Sequence, residues 1–233
     1  FIVEGEVAYT TVDGEKTIMR PGDFVITPAW TWHDHGNDSD EPMVWMDGLD
    51  IPMVLFLSSM FAESYADGVP PITKPVGDSL ARYGAGLLPY GHEAKNLNSP
   101  VINYPYDRTR HALEKMRGAS EWDPCHGLKM RYVNPESGES AMPTMSTFMQ
   151  LLPKDFEAQP YQSTDGAIYS VVEGTGTTQV GTETLHWGPR DVFVVPSWSR
   201  HSHTASEDAV LFSFSDRVAQ EKLGLWRERR GNE

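Results

Sequence analysis

Residues 28–37, PAWTWHDHGN, bring together the side chains of this sequence that are best suited to do chemistry. His33 and His35 stand two positions apart, and on a β-strand such residues point to the same side because side chains alternate with a period of two. Two imidazoles on one side of a strand can present nitrogen lone pairs to a single cation. The same pair can also be hydrogen-bonded in a polar loop, so the pair alone leaves both interpretations open.

The elements that must position this pair belong to a sequence repeat. Residues 3–35 align with residues 172–203 after one deletion, and both copies contain Val-Glu-Gly, a turn with glycine, Pro, Trp and His-x-His. The turn of the first copy, Asp13-Gly14, is a strong signal for a two-residue hairpin. The flanking segments are short, β-branched and bounded by Gly or Pro, as strands are. Each copy is therefore predicted to form a small antiparallel β-barrel or sandwich.

The repeat divides the chain into four predicted segments. The first barrel covers residues 1–57, and a less regular connection covers 58–135, with a short helix at 107–118. The second barrel covers 136–217, and the apolar spacing in 218–233 predicts a C-terminal helix. The chain opens on FIVEGEV, as if inside a strand, so we expect it to be a fragment of a longer polypeptide that includes the missing N-terminal part of the first barrel.

Composition limits the possible partners. The formal net charge is −14 and the pI is near 4.9, so nucleic acid and anionic membrane surfaces are disfavoured by repulsion. No apolar run approaches the roughly 18 residues of a membrane span. The single cysteine, Cys125, excludes an intrachain disulfide and fits a reducing cytosol. A cytoplasmic protein without a nucleic-acid or membrane partner is therefore predicted.

Part of the first copy resembles the second conserved motif of the cupin superfamily. Gly22, Pro28, His33 and Asn37 have the spacing G-x5-P-x-G-x2-H-x3-N, with Trp30 in place of the second glycine. With the repeat, the whole chain resembles a bicupin, an all-β fold of two antiparallel jelly-roll barrels with a few short helices. Longer segments are similar to the gentisate 1,2-dioxygenase family and its salicylate and 1-hydroxy-2-naphthoate relatives: PAWTWHDHGNDSDEPMVWMDGLDIP, DSLARYG, MRYVNP and VVPSWSRHSH.

The resemblance implies a non-haem Fe(II) site in the first barrel, held by three histidines. His33 corresponds to one ligand, and the other two are expected in a His-x-His upstream of Phe1, outside this sequence. His35 corresponds to an active-site residue that donates a hydrogen bond or moves a proton near the substrate and oxygen. The alternative for His35 is a structural role in which it orients Asp34 or Asp47.

The same resemblance implies two further pocket residues. Asp47 corresponds to a polar residue of the family's pocket. The alternative role for Asp47 is to support a neighbouring histidine. Trp32, next to His33, is expected to line the pocket, because the main role of a large aromatic ring is to fill space. A substrate carboxylate needs a positive partner in so acidic a chain, and the arginines that are candidates by charge alone are Arg82, Arg108, Arg110 and Arg131.

The second copy tests the metal assignment independently. His201 and His203 repeat the spacing of the first pair, but Arg190 and Ala205 replace the first glycine and the asparagine of the motif. The positions equivalent to the two upstream ligands hold poor ligands for a borderline divalent cation, namely Tyr161 and Ser163. We therefore predict a metal-free second barrel whose histidine pair is structural. Surface positions are expected for the remaining histidines, which are His92, His111, His126 and His186.

The implied function is ring cleavage by a dioxygenase. Gentisate, 2,5-dihydroxybenzoate, would bind Fe(II) through its carboxylate and the adjacent hydroxyl, and O2 would open the ring between the carbons that carry them, giving maleylpyruvate. Members of the family are homo-oligomers, usually tetramers, so a homotetramer is expected. The alternatives are a salicylate or 1-hydroxy-2-naphthoate dioxygenase, another cupin metal enzyme such as an isomerase, and a non-catalytic, metal-free cupin binding protein.

Overall fold

The structure is a computed structural model that describes residues 1–94, 97–119 and 121–231. Its secondary structure is mostly antiparallel β-strand, with four short helices among the described residues. Within those ranges, none of the helices has the length and apolar character needed to cross a membrane. The predicted all-β architecture with a few short helices is confirmed.

The chain divides into two compact units. The first unit consists of Phe1–Tyr106 and Asn134–Met142, and the second consists of Asp107–Val133 and Pro143–Glu233. Residues 58–135, predicted to connect the two barrels, are shared between the two units. Most of this segment joins the first unit, and the part that contains the longest helix joins the second.

The first unit is built from short strands. They are β1 Ile2–Glu4, β2 Ala8–Val12, β3 Glu15–Met19, β4 Phe24–Val25, β5 His33–Gly36, β6 Val44–Trp45 and β7 Asn103–Tyr104. Two short helices accompany them, α1 Ile51–Phe56 and α2 Asp78–Tyr83. One sheet has the order β3-β2-β5, and two further pairs join β1 to β6 and β4 to β7. A small buried core of Ile2, Ala8 and Met19 holds these strands together.

The hairpin between β2 and β3 determines where β5 lies. Asp13 and Gly14 have φ angles of 48° and 81°, and positive φ at both positions is what a type I′ turn requires. The two strands pair without irregularity, so the hairpin predicted from Asp-Gly is confirmed. The strand β5 then pairs with the other edge of β2, with His33 opposite Val12 and His35 opposite Thr10.

The turn before β4 in the first unit and the corresponding turn in the second unit each contain a residue with positive φ and a matching backbone hydrogen bond. Gly22 has a φ of 87°, and its N–H donates to the carbonyl of Ile2 at 2.9 Å. In the second unit Arg190 takes this position with a φ of 77°, and its N–H donates to the carbonyl of Val171 at 2.8 Å. Trp30, at the second glycine of the motif, also has a positive φ, 62°. The glycine positions of the motif therefore mark residues with positive φ. This chain keeps the positive φ even where another residue replaces glycine.

Gly22→Ala is expected to destabilise the first unit by about 2–3 kcal/mol, because backbone strain and a clash combine. A Cβ at Gly22 would lie 2.5 Å from Cγ of Tyr106. Gly86 provides a matched control, since its φ is 74° but a Cβ there would meet none of the described atoms within 4 Å. Gly86→Ala should therefore carry the strain alone, about 1 kcal/mol. Urea unfolding measures both losses, and equal losses would contradict the contact with Tyr106.

The second unit contains two larger sheets. Its strands are β8 Leu128–Arg131, β9 Ser146–Leu152, β10 Tyr161–Ser163, β11 Ala167–Glu173, β12 Gly176–Val180, β13 Glu183–Trp187, β14 Val192–Val195, β15 His201–Ala205, β16 Ala209–Ser215 and β17 Glu228–Arg230. The sheet orders are β13-β12-β15-β10-β17 and β14-β11-β16-β9-β8. The helix α3, Tyr106–Arg117, agrees with the helix predicted at 107–118 and has Asp107 in its first turn.

The core of the second unit draws side chains from both of these sheets. Tyr169 and Phe193 come from one sheet and Trp187 and Ala205 from the other, and all four are buried in one cluster. The rings of Tyr169 and Phe193 stack with centroids 4.9 Å apart. Polar side chains of β15 and β16 are also buried in this unit, among them His203 and Ser213.

The C-terminal segment differs from the helix predicted over 218–233. Helix α4, Arg217–Lys222, ends after six residues, and Gly224 then turns the chain with a φ of 72°. The segment continues as β17, which pairs with β10 and extends that sheet. Trp226, part of the helical spacing, instead donates its indole N–H to Asp165 at 2.9 Å. Pairing along an open sheet edge gives the backbone N–H and C=O groups the hydrogen bonds that a longer helix would otherwise provide.

Candidate functional site

His33 and His35 lie side by side on β5 in the first unit. Both residues are exposed, and their ring centroids are 5.7 Å apart. The strand geometry places both rings on one side, as the period of two requires. The structure therefore forms the imidazole pair on a surface that a small molecule can reach.

The ring of His33 is oriented by the backbone just before β5. Its Nδ1 lies 3.3 Å from the carbonyl oxygen of Thr31, so Nδ1–H donates, and in the neutral ring Nε2 carries the lone pair. His201 repeats this contact in the second unit, with Nδ1 at 3.2 Å from the carbonyl oxygen of Ser199. A histidine whose one ring nitrogen is held by a carbonyl presents the other nitrogen as a metal ligand.

His35 is held in its neutral form. Its ring centroid lies 5.5 Å from that of Trp45. Desolvation lowers the pKa of His35, and repulsion from His33 lowers it further, while the carboxylates of Asp47 and Asp34 act in the opposite direction. A neutral imidazole at pH 7 can accept a proton or donate a hydrogen bond to a neighbouring group.

Asp47 and Trp32 are the other two residues predicted for the site. Asp47 is exposed in the loop between β6 and α1, close enough to His35 to act on its pKa. Trp32 is 40% exposed, and its ring meets that of Tyr65 edge-on with centroids 5.1 Å apart. The structure thus brings Asp47 to the histidine pair and places Trp32 in an aromatic surface at the start of β5.

The ligand set for a metal ion is incomplete among the described residues. In residues 1–94, 97–119 and 121–231, no group of three or more His, Cys, Asp or Glu side chains is arranged to hold a metal ion. A borderline divalent cation needs several nitrogen or oxygen donors to compete with water. By its tautomer and exposure, His33 fits as one such donor, and the described residues do not complete the set.

The equivalent pair in the second unit is buried. His201 and His203 are 5% and 1% exposed, and burial lowers the pKa of both, that of His201 to about 4. The indole N–H of Trp187 donates to Oγ1 of Thr178 at 2.9 Å, and this hydroxyl lies 2.8 Å from Nδ1 of His203. Tyr169 covers the ring of His203 at a centroid distance of 5.1 Å. These histidines are neutral, packed residues, which suits the structural role predicted for them.

His126 is buried, so the surface position expected for it is wrong. It is 8% exposed, and its ring centroid lies 4.4 Å from that of Tyr161. The carboxylate of Asp123 accepts the N–H groups of Cys125 and His126 at 2.9 and 3.0 Å, and this turn directs the chain inward before β8. The sequence Asp-Pro-Cys-His-Gly carries the signal for such a turn, since Asp side chains accept hydrogen bonds from backbone a few residues ahead.

Lys129 is a candidate that the sequence did not indicate. It lies on β8 and lines a cavity of about 20 Å³ inside the second unit, together with Tyr161, Asp165 and His201. Its Nζ lies 4.7 Å from the ring centroid of Phe148. Burial lowers the pKa of Lys129 to about 8. The local sequence Leu-Lys-Met-Arg gives no sign of this, because the covering residues come from strands distant along the chain.

Comparison with known proteins agrees with the fold and the repeat. The cupin domain family, Cupin_2, matches residues 1–51 and 147–214. Gentisate 1,2 dioxygenase 1 of Aquipseudomonas alcaligenes is 60% identical over 99% of this chain and 66% of that protein. Gentisate 1,2-dioxygenase of Haloferax sp. is 33% identical over 98% of this chain and 67% of that protein. The chain thus spans about two thirds of the length of these relatives.

A solved structure extends the agreement to three dimensions. The salicylate 1,2-dioxygenase from Pseudaminobacter salicylatoxidans superimposes with a TM-score of 0.92 at 32% identity, covering 100% of this chain and 68% of that one. The predicted cupin fold is thereby confirmed. A dioxygenase of this kind implies a metal cofactor. The chain belongs to the cupin family and, within it, to the ring-cleaving dioxygenases that include the gentisate and salicylate 1,2-dioxygenases.

Proposed function

We propose that the full-length protein is an Fe(II)-dependent dioxygenase that opens the ring of gentisate with O2 and yields maleylpyruvate. The observation that carries this proposal is the 60% identity to a gentisate 1,2 dioxygenase over 99% of the chain, a stretch that includes the β5 histidines. The salicylate 1,2-dioxygenase from Pseudoaminobacter salicylatoxidans, solved as an adduct with gentisate, is 32% identical to this chain with a TM-score of 0.93. The same fold in a relative therefore accommodates the proposed substrate.

His33 is the residue of this chain proposed to hold the iron. Its exposed Nε2 carries the lone pair because Nδ1–H is directed to the carbonyl of Thr31. The remaining ligands are proposed to be two histidines outside the described residues. When bound, iron supplies a Lewis acid for the substrate carboxylate and hydroxyl and a path for electrons from the ring to oxygen.

His35, Asp47 and Trp32 are proposed to act on the substrate. The lowered pKa of His35 leaves it neutral at pH 7, so it can take the proton of a substrate hydroxyl at its free ring nitrogen. Asp47 stabilises the resulting imidazolium, because its charge raises the pKa of His35. Trp32, with Tyr65 against its edge, provides an apolar surface against which an aromatic ring can pack.

The substrate carboxylate needs a cationic partner, and two arginines suggested by the sequence are already in ion pairs. Nε of Arg82 lies 2.8 Å from the carboxylate of Asp78. Arg110 bonds to Glu114 and Glu173, both at 3.0 Å. We therefore propose that iron itself provides most of the positive charge that the carboxylate meets. A cytoplasmic homotetramer, the assembly and location expected from the sequence, stays a prediction.

A salicylate-type dioxygenase is the second candidate, favoured by the structural agreement with the P. salicylatoxidans enzyme. The test is product formation by the Fe(II)-loaded full-length protein with gentisate, salicylate or 1-hydroxy-2-naphthoate in aerated buffer, followed by absorbance. We expect the highest kcat/KM for gentisate, which carries the extra ring hydroxyl. A higher value for either other substrate would transfer the assignment to the second candidate. Bound iron without turnover of any of the three would overturn the dioxygenase proposal.

A further inference from the structure

The C-terminal segment of this acidic chain is basic and exposed. The formal net charge of the whole chain is −14, yet residues 217–230 contain five of its nineteen Lys and Arg residues, namely Arg217, Lys222, Arg227, Arg229 and Arg230. Arg227 and Arg229, just before and within β17, are both exposed. The strand β17 is the last strand of its sheet, so these two side chains stand at an outer edge of the second unit. A local positive charge on an acidic chain favours an anionic partner.

Within the described part of the chain, neither Arg227 nor Arg229 is paired with a carboxylate. Arg227 donates from Nη1 to two carbonyl oxygens of its own turn, at 3.1 and 2.7 Å. The guanidinium of Arg229 lies over the ring of Trp198, 5.5 Å from the ring centroid. Arg217 and Arg230 of the same segment are instead in ion pairs. Because a guanidinium has five N–H donors, Arg227 and Arg229 keep donors for a carboxylate from outside.

Apolar side chains adjoin these two arginines. Leu223 and Leu225, in the turn that leads into β17, are 70% and 60% exposed, and Trp198 is 41% exposed. We call these three residues, with Arg227 and Arg229, the basic C-terminal surface. Protein interfaces are enriched in aromatic residues and arginine, with apolar contact between the charges. A small inorganic anion would gain nothing from the leucines, so this surface fits a protein partner that carries carboxylates.

The first unit presents a surface of the opposite charge. No lysine or arginine lies between residues 20 and 74, and the turn after β5 carries three exposed acidic residues, Asp38, Asp40 and Glu41. Asp38 is in an ion pair, whereas the carboxylates of Asp40 and Glu41 are in none of the ion pairs among the described residues. Val44, shortly after this turn, is 44% exposed. The turn therefore combines free carboxylates with an apolar neighbour, as the basic C-terminal surface combines free guanidinium groups with leucines.

We propose that the basic C-terminal surface binds the acidic turn 38–41 of a second copy of this protein, with Arg227 and Arg229 facing Asp40 and Glu41. Guanidinium and carboxylate groups form paired, charge-assisted hydrogen bonds. Unlike charges at the contact offset the repulsion between two copies that each carry a net charge of −14. The two surfaces differ, so the contact is heterologous and joins copies head to tail into a closed ring.

The molar mass of the full-length protein, measured by light scattering during size-exclusion chromatography, tests this contact. In the double variant Arg227→Glu/Arg229→Glu, we expect the dissociation constant of the assembly to rise at least about tenfold, because two attractions become two repulsions. Added NaCl should weaken the assembly of the unchanged protein, since exposed charges are screened. An unchanged Tm of the double variant would show that the second unit stays folded.

Reversing both sides identifies the partner surface. Asp40→Arg/Glu41→Arg should also dissociate, and one chain that carries all four substitutions should regain the original mass, because its charges are exchanged and again complementary. The matched control is Lys115→Glu/Lys154→Glu, which makes the same charge change at two exposed lysines of the second unit and should keep the mass. A monomeric unchanged protein, or full assembly of Arg227→Glu/Arg229→Glu, would overturn the proposal. Dissociation of that variant without recovery in the fourfold variant would overturn the acidic turn as the partner surface.

Discussion

In His33→Ala, gentisate-dependent oxygen uptake by the full-length protein is expected to fall at least about 100-fold, and bound Fe(II) should fall with it. The reason is that His33 is the residue of β5 whose tautomer leaves an exposed Nε2 lone pair, so its loss removes one ligand of the set. Oxygen-electrode rates and iron analysis of the same preparation measure the two effects. Full iron content with full activity would show that His33 is not a ligand.

Two companion variants separate ligand binding from catalysis. His186 is an exposed histidine on β13, and His186→Ala should change neither iron content nor uptake. His35→Ala should keep most of the iron but lose turnover, because His35 is proposed to move a proton and not to bind the metal. Parallel loss of iron in His35→Ala would instead make His35 a ligand.

Lys129→Met should raise the free energy of unfolding at pH 7, by on the order of 1–3 kcal/mol. Burial lowers the pKa of Lys129 from 10.5 to about 8. Below pH 8 the ammonium is charged in both states, and this charge is less stable in the folded protein than in the unfolded chain. The unfolded chain binds the extra proton between pH 8 and 10.5, so the stability of the unchanged protein rises with pH in that window. A methionine fills similar volume without the charge.

The pH dependence makes this prediction specific. The advantage of Lys129→Met should shrink as pH rises through 8 and disappear near 10.5, where both states of the unchanged protein are neutral at this site. The other groups at the cavity, Asp165, Tyr161, Tyr169, His201 and Arg217, are present in both proteins, so comparing the two isolates the lysine. Lys154→Met should show no such advantage. A Lys129→Met protein less stable than its parent at pH 7 would mean that the ammonium is well paired.

The sequence predicted those parts of the fold that depend on local rules. Asp13-Gly14 indicated its hairpin because few other residues accept positive φ at two successive positions. The repeat indicated two similar units, and the helix at 107–118 followed from its spacing and ends. The final strand β17 was missed, since it exists only by pairing with β10, more than sixty residues earlier in the chain.

The residues of the candidate site were also predictable only where local sequence patterns determine their position. His33 and His35 could be identified from a strand period and a motif, and the structure places them together on β5. The burial of His126 and the partial burial of Lys129 depend on which distant strands cover them, and a single sequence does not carry that information. The contrast between the exposed pair of β5 and the buried pair of β15 has the same origin, because Tyr169 from β11 covers His203.

The most direct test of the dioxygenase assignment is the stoichiometry of oxygen and gentisate. The full-length protein, loaded with Fe(II) under argon, would be mixed with a limiting amount of gentisate in an oxygen-electrode cell, and gentisate loss would be measured in the same sample. The account predicts that one O2 disappears for each gentisate, with maleylpyruvate as the product and no hydrogen peroxide released. Gentisate consumed without oxygen, or oxygen converted to peroxide while the ring stays intact, would contradict it.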